Sequence, residues 1–525
     1  QIGHGGAPFA FSAELSGYSA NQNRSTEIVQ FRAQNANSGN ANIIGESGSQ
    51  RNRSLTFMPI TGDIDLDVGG DLSIVAGNDF FDYAQVGHGG AETADLETSS
   101  FISGNIDVNV GGTTTLQGGG EITYTCNGND RNHRGYSMIG HGGYASGFMA
   151  FYGDVNVVSG GDITLTGGEY NYTFAKIGHQ GGQDPGQVGG TYLRNENFEF
   201  DSASTNIATT VSGTGATVTY TAANGTGLSA SRTFSDFRTS DVSVSSVGAI
   251  TLNHLGDGIG FNDNQDLNNA NRTNTINSVN VAWTQIGHGG TSFNGGNQRL
   301  TQTQLASFNR LNPDNGFGDK VGDITVLANG GNITLENGNG YERWTRIGHG
   351  VGRGAFGHDG NGNSLEMAGD IMVSASGDIV LNAAAANSYG EVVNAVQVNG
   401  FYIQLDIGDP SLHNPVSIGH GGAFGNDGLI VLDQGSVNDV AASSDISVTS
   451  GGDLTVTGGN GQEGSSAQIG HGFSDFEGNS NNNRKNGAPD GFAGDISVSV
   501  QGSLDISASN QAFLQEPLDN TQSAL

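Results

Sequence analysis

Basic residues are scarce in this chain: 19 Lys and Arg stand against 52 Asp and Glu, a formal charge of −33. Phosphates demand a positive footprint, so this balance argues against a nucleic-acid partner. It favours solubility and resistance to non-specific association instead. Cysteine occurs once, at Cys126, which excludes an internal disulfide framework. Hydrophobic residues make up only 34% of the 525, too little apolar mass for a compact globule of this length. No apolar run approaches the ~20 residues of a membrane-spanning helix, and no signal-peptide pattern heads the sequence. Helical periodicity of useful length is missing as well. What remains is an all-β reading.

Glycine is what the chain has in abundance, 88 residues, and much of it is periodic. The pentapeptide Ile-Gly-His-Gly-Gly or a close variant recurs eight times, centred on His4, His88, His141, His179, His288, His349, His420 and His471. Val86 replaces the Ile once, Gln180 follows His179, and Val351 or Phe473 replaces the last Gly. A catalytic constellation is needed once, whereas this motif stands in every unit. Such repetition marks a stacked architecture.

A second pattern lies between the motifs. Gly62-Asp63-Ile64-Asp65-Leu66-Asp67-Val68 is followed by Gly70-Asp71-Leu72-Ser73-Ile74, and the pair returns at Asp154/Asp162, Asp323/Asn332, Asp370/Asp378 and Asp445/Asp453. Looser copies start at Asn105, Asp241 and Asp495. Each run alternates apolar and polar residues with the period of a half-buried strand. A third strand ends in the His motif. Three strands separated by Gly-rich corners make one coil, and about eight stacked coils predict a right-handed parallel β-helix. At the ~4.8 Å spacing of paired strands the rod would be roughly 40 Å long. The expected span is one continuous β-helix over residues 1–509, with a tail or further continuation over 510–525. Long insertions at 5–61, 180–240, 291–321 and 382–416 leave the coil between core strands, as expected of a solenoid with elastic loops. Residues Thr209 to Ser229 alternate in a way that predicts a hairpin of their own. Recognition is sought in such loops.

Three ladders follow from the parity of the strands. The eight His side chains are expected to face inward, about one coil spacing apart, neutral at pH 7 and bonded to corner carbonyls or amides. A divalent-metal ladder is the second reading, but a single file offers only one ligand per coil, so no metal site is assigned. Aspartates at the strand starts are read as turn formers, bonding backbone two residues on; stacked carboxylates could also share Ca²⁺. Tyr83, Tyr136, Phe174, Trp283 and Trp344 are expected to form an outward aromatic stripe. That stripe either pins register or offers a platform for carbohydrate or a partner.

The alternation of Gly-Asp-Ile-x-Val, Gly-Gly-Asp-Leu-x-Val and Ala467-Gln468-Ile469-Gly470-His471-Gly472 resembles the repeats of giant filamentous-haemagglutinin-like bacterial exoproteins. The resemblance covers all eight coils and carries no catalytic residues. It implies secretion through an outer membrane, a β-helical shaft, and an adhesive or filament-forming role at the cell surface, where surface glycans are candidate partners. Gln1-Ile2-Gly3-His4 begins inside a motif, which leads to the expectation of an extended rod. Further coils of the same chain, or other copies end to end, would continue it. The alternative reading is a polysaccharide lyase or hydrolase on the same fold. It would need a coil-specific pair of carboxylates or a basic residue beside metal. Only Arg131, His133 and Arg134 suggest such a cluster, without an evident carboxylate pair.

Overall fold

The computed structural model describes residues 1–4, 60–77, 82–90, 100–120, 135–144, 149–168, 173–180, 188, 190–200, 210–213, 216–223, 227–238, 240–255, 282–290, 320–337, 343–350, 365–383, 396–398, 401–403, 415–421, 429–431, 436–437, 440–459, 466–472 and 491–508. Among these there is no helix, and the strands assemble into long parallel sheets in which successive coils are neighbours. The first sheet holds eight strands, from Ile64–Val68 to Ile496–Val500. The second also holds eight, from Leu72–Val75 to Leu504–Ala508. The third holds seven, from Ala84–Val86 to Ala467–Ile469, and Ile2 adds a parallel bridge to Val86. This is a parallel β-solenoid.

Register is set by like residues pairing with like. Ile64, Ile106, Val155, Val242, Ile324, Ile371, Ile446 and Ile496 form one continuous column in the first sheet. A slip of one residue would turn each such side chain out of the core. The interior is one apolar cluster running the length of the rod. In the third coil it receives Val155, Val157, Ile163, Leu165, Ala175 and Ile177, all fully buried. Burial of each large apolar side chain contributes roughly 1.5–3 kcal/mol. Few apolar residues suffice because every coil shares its core with its neighbours.

A fourth, short sheet adds to the three expected strands per coil. It runs through Ile60–Thr61, Ser100–Ser103 and Met149–Tyr152, then Lys320–Val321, Leu365–Ala368, Leu429–Val431 and Gly491–Phe492. Val188 bridges Phe151 to Lys320 and joins the two halves. Residues read as insertion thus belong in part to the coil. The hairpin expected within Thr209 to Ser229 is present and larger: Thr210–Gly213, Ala216–Ala223 and Gly227–Arg238 pair antiparallel, and Gly190–Phe200 adds a fourth strand. Cys126, the Arg131–Arg134 cluster and the 510–525 tail lie outside the described residues.

Candidate functional site: the ladders between coils

The motif glycines explain where the histidines sit. A Cβ on Gly87, Gly140, Gly178, Gly287, Gly348 or Gly419 would fall 1.8–2.3 Å from the carbonyl oxygen of the equivalent glycine one coil on. The glycine after His141 is constrained as well: at Gly142 the backbone has φ +90° and a Cβ would meet the Phe151 ring at 2.8 Å. Only glycine allows the backbones to approach this closely with φ in the left-handed region.

Between these glycines the eight imidazoles form a continuous stack. Centroids are 4.7–5.2 Å apart and neighbouring planes lie within 17° of each other. Each His backbone N–H donates to Nδ1 of the His in the next coil, at 2.9–3.1 Å, from His4 to His88 through His420 to His471. Nε2 of the six rings of His88, His141, His179, His349, His420 and His471 donates to the carbonyls of Gly62, Gly104, Gly153, Gly322, Gly369 and Ser444, at 2.6–2.8 Å. His288 makes the same bond to Ser240. The tautomer is thereby fixed. Nδ1 faces an N–H and must be bare; Nε2 faces a carbonyl and must carry the proton.

This arrangement uses the one lone pair of each of the seven rings from His88 to His471. A metal ligand would have to break the amide bond first. Among the described residues, no group of three or more His, Cys, Asp or Glu is placed to hold a metal ion. Burial sets the charge state. It pushes His179 down to about 4 and His349 to about 3, opposed by their carbonyl bonds and reinforced by the Lys176 charge. His288 and His420 fall well below the ordinary value, first through burial and then through neighbouring imidazoles. His88, less deeply buried, is lowered for the same leading reason.

The aspartates do something the sequence did not reveal. The Asx-turn expectation placed their bonds two residues along the chain, but the described bonds go to the next coil. Oδ1 of Asp63, Asn105, Asp154, Asp241, Asp323, Asp370 and Asp445 accepts the N–H of the equivalent residue one coil on, at 2.7–3.1 Å. A second column does the same through Asp71, Asp162, Asn332, Asp378 and Asp453. Asn serves as well as Asp because the task is to accept one bond. The amide bond from Thr113 lowers the Asp71 pKa, whereas burial raises that of Asp241.

A further column stands just before the motif Ile or Val. Gln85 Nε2 donates to Gly140 and Gly142 oxygens at 2.8 and 2.6 Å, and Gln1 and Gln285 make similar clamps. Where Lys176 and Arg346 replace Gln, their cationic nitrogens donate to the same kind of glycine carbonyl, at Gly289 and Gly421. Both side chains are buried, and burial drops Arg346 to about 9. At these two positions the residue type changes while the donor stays, whereas Met138 in the same column offers none.

The aromatic stripe is continuous but closed. Tyr83, Tyr136, Phe174, Trp283 and Trp344 stack at 4.3–5.7 Å between centroids. Tyr136, Phe174, Trp283 and Trp344 are at most 1% exposed, and the third sheet is buried on both faces from Tyr136–Ile139 to Val416–Ile418. The carbohydrate-platform reading is corrected on this point, since a sugar ring needs an open aromatic face to stack on. Only Tyr83 is partly accessible. Arg346 lies 5.3 Å over Trp344 and adds a cation–π contact. Replacing Trp283 by Ala is therefore expected to cost about 3–5 kcal/mol. Urea denaturation followed by circular dichroism measures it, and a loss under about 1 kcal/mol would contradict a packed stack.

His254 escaped sequence reasoning because it stands outside the motif. It occupies the register position of Gly167 in the previous coil, where a Cβ would lie 2.5 Å from its Nδ1. Thr345 Oγ1 donates to the Glu336 carbonyl and so accepts from His254 Nε2 at 3.1 Å. Burial, then the Arg343 charge, lowers His254 to about 3. The available signal was its place at the end of a second-sheet strand. Compared with known proteins, the chain matches no family model, no curated sequence and no solved structure.

Proposed function

We propose that this chain is a non-enzymatic extracellular shaft, a surface adhesin or filament-forming exoprotein. The observation that carries the reading is how the repeat spends its chemistry. The His, Asp and Gln columns are committed to bonds between coils, so the residues that could have served catalysis serve stacking. The resemblance to filamentous-haemagglutinin-like repeats supports the same reading and an outer-surface location. Further coils of the chain or other copies are the proposed axial partners. In the last described coil the core positions Leu504 and Ile506 are 56% and 72% exposed, whereas Ile163 and Leu165 at the equivalent positions are fully buried. Open strand edges beside bare apolar positions recruit further strands.

Two measurements test this. Neutral and acidic polysaccharides incubated with the purified chain are expected to release no new ends. Sustained turnover would replace the shaft reading by the lyase or hydrolase alternative. Electron microscopy of native material is expected to show rods joined along their axes, and isolated globular particles would contradict axial stacking.

A further inference from the structure

We infer that the outward faces of the first and second sheets bind an uncharged, extended polysaccharide laid along the rod axis. This rests on the adhesive reading above and assigns it a face and a ligand class. Between its two end strands the third sheet is buried on both sides, while the outward residues of the first and second sheets are half-buried or exposed. On the second sheet Thr115, Thr164, Thr251 and Thr334 stand side by side in successive coils. Thr166 shares a strand with Thr164, and Thr455 and Thr457 repeat the pair further along. Beside them, at the corner between the sheets, run the exposed carboxylates of Asp71, Asp162 and Asp453, each tied by one oxygen to the next coil.

Hydroxyls both donate and accept, as sugar hydroxyls do. The column repeats once per coil, ~4.8 Å, close to the advance of one ring in an extended β-linked glycan. Charge selects the class. No outward residue of the described strands in these two sheets is Lys or Arg, and Asp65, Asp67 and Asp107 add negative charge to the first. An anionic glycan would be repelled. Lateral pairing with a second copy is opposed by the net charge of −33. Outward apolar residues such as Val158, Leu327 and Met372 are scattered among polar ones and make no greasy patch.

Each sugar contact replaces a bond to water, so its net contribution is small. Measurable affinity then requires many coils engaging one polymer. Length dependence is the signature. The intact chain is expected to sediment with amorphous cellulose, to resist displacement by an equal mass of cellotriose, and to ignore polygalacturonate. The triple variant Thr164→Val, Thr251→Val, Thr334→Val keeps side-chain shape and strand preference. It is expected to bind cellulose at least about tenfold more weakly, with unchanged circular dichroism. Undiminished binding by that variant overturns the assignment, as does preference for polygalacturonate or pelleting without any polysaccharide, which would mean lateral pairing of copies. If the variant still adheres to cell surfaces like the parent, this face is wrong and the adhesive reading stands. If the parent itself adheres to no surface, that reading falls too.

Discussion

Gly178→Ala is expected to destabilise the rod by about 4 kcal/mol or more, among the largest effects of any single methyl group in the chain. Gly178 has φ +129°, and the added Cβ would sit 2.3 Å from the carbonyl oxygen of Gly287 in the next coil. Neither atom can yield, because both backbones are held in the ladder between coils: Gly178 N–H donates to the Ile139 carbonyl and Gly287 N–H to that of Ile177. Gly70→Ala is the matched control. Nothing lies within 4 Å of its Cβ position, and its effect should stay within about 0.5 kcal/mol. Chemical denaturation of both variants decides the matter. Equal tolerance at the two sites would mean that the motif glycines are not pressed against each other. Hydrogen exchange should place the damage in the coils around Gly178, since a solenoid's coils depend mainly on their neighbours.

Acid should unfold the rod cooperatively between about pH 6 and pH 4. In the unfolded chain a His titrates near 6.5, whereas His179 is held down to about 4 and His349 to about 3. The unfolded state therefore binds more protons, and stability rises with pH through this window. The contribution is complete above pH 6.5 and is lost as pH falls toward the folded values, at up to ~1.4 kcal/mol per pH unit for each buried ring. Protonation also converts Nδ1 from acceptor to donor while it still faces the N–H of the preceding His. Lys176, Lys320 and Arg346 reinforce the neutral state by their charge. Asp241, whose pKa is raised by burial, acts weakly in the opposite direction. His288→Ala should lose several kcal/mol at pH 7, because the His179 amide and the Ser240 carbonyl are left buried without their partner. It should also flatten the acid transition. An unfolding midpoint independent of pH between 7 and 4 would show that the rings titrate freely.

Strand positions, coil count and the inward histidines were legible in the sequence, because all three depend on short spacings: a period of two within a strand, a fixed offset between strands, and a motif recurring in every coil. Ile64 and Leu66 point inward for a reason that needs no knowledge of the rest of the chain. The aromatic stripe was legible as a stripe for the same reason, from its fixed distance to the motif Ile or Val. Its burial was not, since no local spacing fixes what packs over Trp283 and Trp344. The fourth sheet was hidden because Ile60, Val188 and Lys320 stand inside segments of irregular length and composition.

The sequence by itself determined a parallel solenoid with a column of imidazoles inside it. Only the tertiary structure decided what those side chains bond to. The amide that His288 binds belongs to His179, 109 residues earlier, and the carbonyl bonded by its other nitrogen belongs to Ser240. Asp154 likewise accepts from Asp241 across 87 residues. These separations vary with the length of each insertion, so no local spacing encodes them. Stacking the coils brings equivalent residues within one strand spacing of each other, and that contact fixes the tautomer, the charge state and the bond.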